Sequence, residues 1–157
     1  MSPRLIVAAQ YFLYFATLGV YLPFFNLYCY HLGFSGAQIG LLSGTRSVAL
    51  IIFPLVWGGL ADRYNAHRPV FLGCLLASTL IWSLLLGIRD FQGMLLVVAA
   101  YAVFFAPLIA FMETLSLEVL GPAKAAYGRI RAWGSASFIA VVLGIGPLLE
   151  RRGLALV

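Results

Sequence analysis

Three ionisable residues stand where a chain this apolar tolerates few charges. Arg46 sits near the middle of the otherwise uncharged run 36–61, Glu113 in the run 92–120, and Arg131 just inside a run that begins near Tyr127. A lone charge at the centre of a bilayer helix costs at least roughly 2.5–3.5 kcal/mol on insertion scales, so such a residue should face protein or water rather than lipid. Glu113 and Arg131 lie about five residues either side of the same short connection, hence at matched depth, on the order of 7 Å in at 1.5 Å per residue. Glu118 is turned about 140° from Glu113, and Arg129 about 160° from Arg131, so neither shares its neighbour's face. An arginine held this way can grip an anionic or polar group through two parallel N–H bonds. The Glu113–Arg131 pair is therefore either a solute-binding pair or a structural ion pair that aids insertion. Arg46 either lines a solute path or is a structural arginine bound to a carboxylate or carbonyls.

The first apolar segment carries a second pattern. Gln10, Tyr14, Thr17, Tyr21 and Tyr28 fall within about 40° of one line on a helix. A single polar stripe on a membrane helix faces a wet cavity or packs on a neighbour through hydroxyls.

These residues need long helices to position them, and the composition provides for that. Of 157 residues, 63% are hydrophobic and only 10% charged, and the mean hydropathy is +1.02. A soluble domain has about 25% charged residues; this chain reads as an all-α integral membrane protein whose partner is the lipid bilayer. The spans fall at about 5–32, 36–61, 69–88, 92–120 and 127–149, five helices in one transmembrane domain covering 1–157. The first span is longer than a signal peptide's apolar region, so it reads as a retained helix. Pro23 is expected to kink it. Ser35 and Gln38 make a capping box that starts the second helix. Gly40 and Gly44, and separately Ala132, Ala136, Ala140 and Gly144, offer small-residue packing faces. Gly146-Pro147 and a loop at Glu150-Arg151-Arg152 close the last span, and 154–157 resembles the start of a further element. The odd helix count suggests a fragment or truncated product.

The net charge of +5 could suggest nucleic acid, but the basic residues are scattered at helix ends, which is a topology signal instead. If the charged stretch 58–68 is cytoplasmic, six basic residues (Arg4, Arg63, Arg68, Lys124, Arg129 and Arg131) lie inside and three (Arg89, Arg151 and Arg152) outside. That bias puts the N-terminus in the cytoplasm. Cys29 and Cys74 lie near opposite membrane faces and cannot pair without rearrangement. No nucleophile, phosphate loop or metal-ligand spacing points to an enzyme or a metal site.

The stretch Gly58-Gly59-Leu60-Ala61-Asp62-Arg63 resembles the signature loop of the major facilitator superfamily between helices 2 and 3. Asn65 stands where that family usually has glycine and Ala66 where it usually has a basic residue; asparagine tolerates the left-handed backbone such a turn needs. Gly19-Val20-Tyr21-Leu22-Pro23-Phe24-Phe25 resembles the first helix of lactose permease-like proton symporters. Phe104-Phe105-Ala106-Pro107-Leu108 and Tyr127-Gly128-Arg129-Ile130-Arg131-Ala132-Trp133-Gly134-Ser135 resemble the phenylpropionate permease branch. The resemblance implies the N-terminal half, minus its last helix, of a twelve-helix fold that alternates access to a central cavity, its partner being the missing C-terminal half. It further implies a gating loop at Gly58, Asp62, Arg63 and Arg68. Substrate-facing residues would be Arg131, Glu113, Arg46, Gln10, Tyr14, Thr17 and Tyr21, the proton would be the coupling ion, no other cofactor is required, and a bacterial inner membrane is the expected location. A small aromatic carboxylate, a nucleoside or a sugar would suit the aromatic first helix and its arginine. The alternative is a non-transporting helical adaptor or receptor fragment, which would have no use for Arg46, Glu113 and Arg131 inside the membrane.

Overall fold

A computed structural model describes residues 3–121, 125 and 127–152, and every element in them is helical. The helices are α1 (Pro3–His31), α2 (Gly36–Tyr64), α3 (His67–Ser83), α4 (Phe91–Phe105), α5 (Leu108–Leu120) and α6 (Tyr127–Arg152), with one 3-10 turn at Leu84–Gly87. With α4 and α5 counted as one membrane crossing, the described residues hold five segments long and apolar enough to span a bilayer. Their outward surface is lipid-like: Leu55, Ile51, Leu86 and Leu96 are all largely exposed.

The ends of the helices follow local chemistry. Gly33, at φ +85°, reverses the chain after α1, a conformation open to glycine at little cost. Ser35 and Gln38 then form the expected reciprocal cap on α2. Asn65 ends α2 in the left-handed region at φ 49° and ψ 41°, while the Ala66 N–H reaches back to the Ala61 carbonyl at 2.9 Å. This is the turn that glycine usually makes, and asparagine makes it here. Asp90 caps α4 by accepting from the Gly93 N–H at 2.7 Å.

The expected spans differ from the observed ones in three places. The span 92–120 is two helices, because Pro107 lacks an amide and the ladder stops at Phe105. Residues 84–87 tighten into a 3-10 turn rather than extending α3. The loop expected at 150–152 is helical, since α6 continues through Pro147 to Arg152. Pro23 and Pro54 do not interrupt α1 and α2. Lys124, Pro122 and the stretch 154–157 lie outside the described residues.

The helices group into two compact units. The first takes residues 1–33 and 116–157, the second residues 34–115; one boundary falls in the turn after α1 and the other inside α5. In the first unit α1 and α6 run parallel, because Tyr11 meets Tyr127 near both N-terminal ends and Gly19 meets Phe138 and Val141 further along. The seam is close. The Tyr11 and Tyr127 hydroxyls are 2.8 Å apart, and the Ser137 hydroxyl, fully buried, lies 2.8 Å from the Phe12 carbonyl of α1. A Cβ on Gly134 would come within 2.7 Å of the Phe15 ring, and one on Gly19 within 3.1 Å of the Phe138 carbonyl oxygen. The expected small-residue face of Ala132, Ala136, Ala140 and Gly144 is exposed instead. Its centre lies about 135° round α6 from that of the seam. Gly40 and Gly44 likewise have no atom within 4 Å of where a Cβ would stand.

In the second unit α4 is the central helix, burying Met94, Val97, Val98, Tyr101 and Ala102. It packs on both α2 and α3. Trp82 of α3 lies on Tyr101 at 4.7 Å, and Trp57 of α2 on Phe104 at 5.5 Å between ring centres. Phe34 meets Phe91 at the opposite end, so α2 and α4 are parallel.

The seam yields a direct test. Gly134→Val and Gly19→Val should each destabilise the protein by about 1–3 kcal/mol through overpacking. Gly144→Val, with open space around it, should stay within about 0.5 kcal/mol of the parent. Thermal unfolding in detergent distinguishes them; equal effects at 134 and 144 would mean that the seam has been misassigned.

Candidate functional site

Two groups of polar residues emerge, one in each unit. In the second unit a cavity of about 190 Å³ opens beside the charged turn. One wall is a single face of α2, Pro54, Gly58 and Asp62, spaced four residues apart. The other wall is Pro107, Ala110, Phe111 and Thr114 at the start of α5, and His67 closes one end. His67 donates from Nε2 to Asp62 Oδ1 at 2.8 Å, and its ring stands edge-on to Phe111 at 6.4 Å. A Cβ on Gly58 would meet no atom within 4 Å, so the glycine leaves room in the cavity rather than relieving a local clash. Arg63 and Arg68 are exposed, and the Arg63 guanidinium lies 5.9 Å from the Tyr64 ring centre. The turn therefore brings Gly58 and Asp62 together around the cavity and leaves the two arginines at the surface. His67 had not been singled out in the sequence. The signal was available, because a histidine just beyond a two-residue turn can reach back to an acid at the end of the preceding helix.

Arg46, half-buried on α2, donates from its guanidinium to the Ser43 hydroxyl at 3.1 Å, one turn earlier on the same helix. Glu113 is half-buried on α5. Glu113 belongs to the second unit and Arg131 to the first.

In the first unit the seam residues fix which way α1 and α6 face. The stripe residues of α1 lie about 105–165° from the centre of its seam, and Arg131 lies about 70° from the centre of the α6 seam. Because the two helices are parallel, both offsets turn toward the same side of the pair; Arg129 turns to the opposite side. Tyr14 and Tyr21 lie most squarely on that side. Arg131 comes level with the part of α1 around Tyr14, given the pairing of residues 11 with 127 and 15 with 134. Gln10 and Thr17 lie further round and are exposed. The Thr17 hydroxyl donates to the Leu13 carbonyl at 3.0 Å, leaving it an acceptor for any other group. Tyr14 is half-buried, Tyr21 is buried, and Arg131 is exposed. The stripe is thus not the surface that α1 uses to pack on α6. Among the described residues no group of three or more His, Cys, Asp and Glu side chains could hold a metal ion.

Long apolar helices, a capped charged turn and polar residues confined to particular faces define an all-helical integral membrane protein. The sequence matches the MFS_1 like family over residues 5–157, and the chain belongs to that family, within the major facilitator superfamily. It is 28% identical, across 85% of its length, to a protein of Escherichia coli (strain K12) described as "Probable 3-phenylpropionic acid transporter", of which 35% is covered. It is 28% identical, across 99% of its length, to the xanthosine permease of the same organism, of which 38% is covered. The chain thus spans a little over a third of the length of these curated relatives. The fold agrees with the crystal structure of the nucleoside transporter NupG, with a TM-score of 0.82 over 90% of this chain and 36% of that one, at 24% identity.

Proposed function

We propose that this chain forms the N-terminal part of a secondary active transporter that moves a small organic solute by alternating access, coupled to protons. The observation that carries the reading is the common side of the α1–α6 pair on which Tyr14, Tyr21 and Arg131 lie, turned away from the seam. Membrane helices that only needed to pack would not keep aromatic hydroxyls and a guanidinium on one face. The solute class is a small aromatic carboxylate. Arg131 offers a planar fork for the carboxylate, and the tyrosines beside it offer rings and hydroxyls. A relative described as a phenylpropionic acid transporter favours the same class, and nucleosides rank second on the xanthosine permease. Glu113 and Arg46 stay candidate solute-facing residues on the cost of burying their charge in a membrane alone, and a proton would be the coupling ion. The cavity beside Asp62 would be where the gating loop seats a segment of the remaining protein in one state, which gives the space left by Gly58 a purpose. The N-terminus would lie in the cytoplasm, within a bacterial inner membrane.

Uptake tests the reading. Cells making the full-length protein should take up radiolabelled 3-phenylpropionate or, failing that, xanthosine, and a protonophore should abolish accumulation. Arg131→Ala should lower uptake at least about 100-fold at normal membrane level, and Arg131→Lys should not restore it, since a point charge does not replace the planar fork. Uptake by either variant equal to the parent would remove Arg131 from the site. Asp62→Asn should slow uptake several-fold without lowering the amount of protein in the membrane; parent-like rates would remove the gate role.

Orientation has its own check. A reporter active only in the cytoplasm should work when fused after Arg68 or Lys124 and fail after Gly36 or Asp90. The reverse pattern would invert the topology.

A further inference from the structure

Pro107 has no amide hydrogen, so the carbonyl of Val103, four residues earlier, loses its helical partner. In hydrocarbon no water replaces it. The structure fills the gap from another helix: Trp57 of α2 donates its indole N–H to the Val103 oxygen at 3.0 Å. The same ring lies against Phe104 at 5.5 Å, so its orientation is held by packing as well. On either side of the break the ladder is intact, with the Ala106 N–H on the Ala102 carbonyl and the Phe111 N–H on the Pro107 carbonyl. Ala106 and Pro107 are themselves buried. The α2 neighbours of Trp57 are wall residues of the cavity, Pro54 one turn before it and Gly58 next to it, while Pro107 begins the opposite wall.

We propose that Trp57 is a positioning residue for α5. Its indole N–H stands in for the amide that Pro107 lacks, and so sets where α5 leaves α4 and how its cavity residues, Phe111 and Thr114, stand against α2. Glu113 travels on the same helix, so the consequence for solute handling rests on the transport reading above; the positioning itself does not. A tryptophan that only filled space would make its contribution whatever residue stood at 107. One that replaces a missing amide makes it only while the proline is there.

A double-mutant cycle separates the two. In the full-length protein with every native cysteine replaced, Thr114→Cys, on the cavity wall, serves as the reporter and a water-soluble maleimide as the probe. Labelling needs no solute, so its outcome stands apart from whether the protein transports. Trp57→Phe keeps the ring and removes the donor. It should change the labelling rate at least about threefold with Pro107 present and leave it unchanged in the Pro107→Ala background, where the restored amide gives the Val103 carbonyl a backbone partner. Trp57→His, which keeps a ring N–H, should fall between parent and Trp57→Phe. If Trp57→Phe fails to reach the membrane, membrane yield becomes the reading, and Pro107→Ala should restore it. An equal change in both backgrounds, no change in either, or no rescue of yield would overturn the proposal.

Discussion

Everything in this structure follows from a backbone that has no water to bond with. In hydrocarbon each N–H and C=O must be satisfied within the protein, so every element among the described residues is a helix, with only short turns between them. Side chains obey the same rule. Thr17, Thr45, Ser47, Thr79 and Thr114 each turn their hydroxyl back onto a carbonyl four residues earlier on their own helix. A threonine in such a chain is therefore weak evidence of a binding surface, because its donor is already used. The tyrosines differ: the hydroxyl of a tyrosine stands too far from its own backbone to be satisfied there. Tyr11 finds Tyr127, and the side on which Tyr14 and Tyr21 stand is the one that can be polar for a reason other than local bonding.

The same constraint decides which irregularities survive. Charged and turn residues gather where the helices end, and there each end is closed by its own chemistry: Ser35 with Gln38, Asp90 on Gly93, Asn65 in the left-handed region. Proline behaves less uniformly. α1 and α2 run on through Pro23 and Pro54, whereas Pro107 divides α4 from α5. The break at Pro107 coincides with a donor on another helix, which lets the divided geometry persist without an orphaned carbonyl.

What the sequence made legible divides along the same line. Span positions, the Ser35–Gln38 cap and the tolerance of Asn65 for its turn depend on local composition and local bonds, and they could be read residue by residue. The α1–α6 seam could not. Two faces of α6 carry small residues, and periodicity alone favours Ala132, Ala136, Ala140 and Gly144 because their spacing is regular. The structure uses Gly134 and Ser137 because a Phe15 ring and a Phe12 carbonyl, more than a hundred residues away, happen to fit them. The partner selects the face, and a helix does not carry its partner in its own pattern. Nor could the two compact units be anticipated, since one of their two boundaries falls within an apolar helix where composition does not change. His67 lay between these cases, since its reach to Asp62 is short in sequence but depends on the shape of the turn.

The candidate site was legible in kind rather than in arrangement. Depth matched to Glu113 singled out Arg131 and turned Arg129, two residues away and also exposed, to another face of the same helix, but not toward any particular neighbour. The seam supplies that neighbour, because it fixes which way α6 faces and puts Arg131, not Arg129, on the side of Tyr14 and Tyr21. Had α1 and α6 been antiparallel, the same two angular offsets would have put the tyrosines and Arg131 on opposite sides. The parallel pairing, fixed by Tyr11 with Tyr127 and Gly19 with Val141, is therefore as much a part of the site as the side chains that would touch a solute. A substitution that loosened Gly134 from Phe15 would be expected to disturb that face without touching any residue on it.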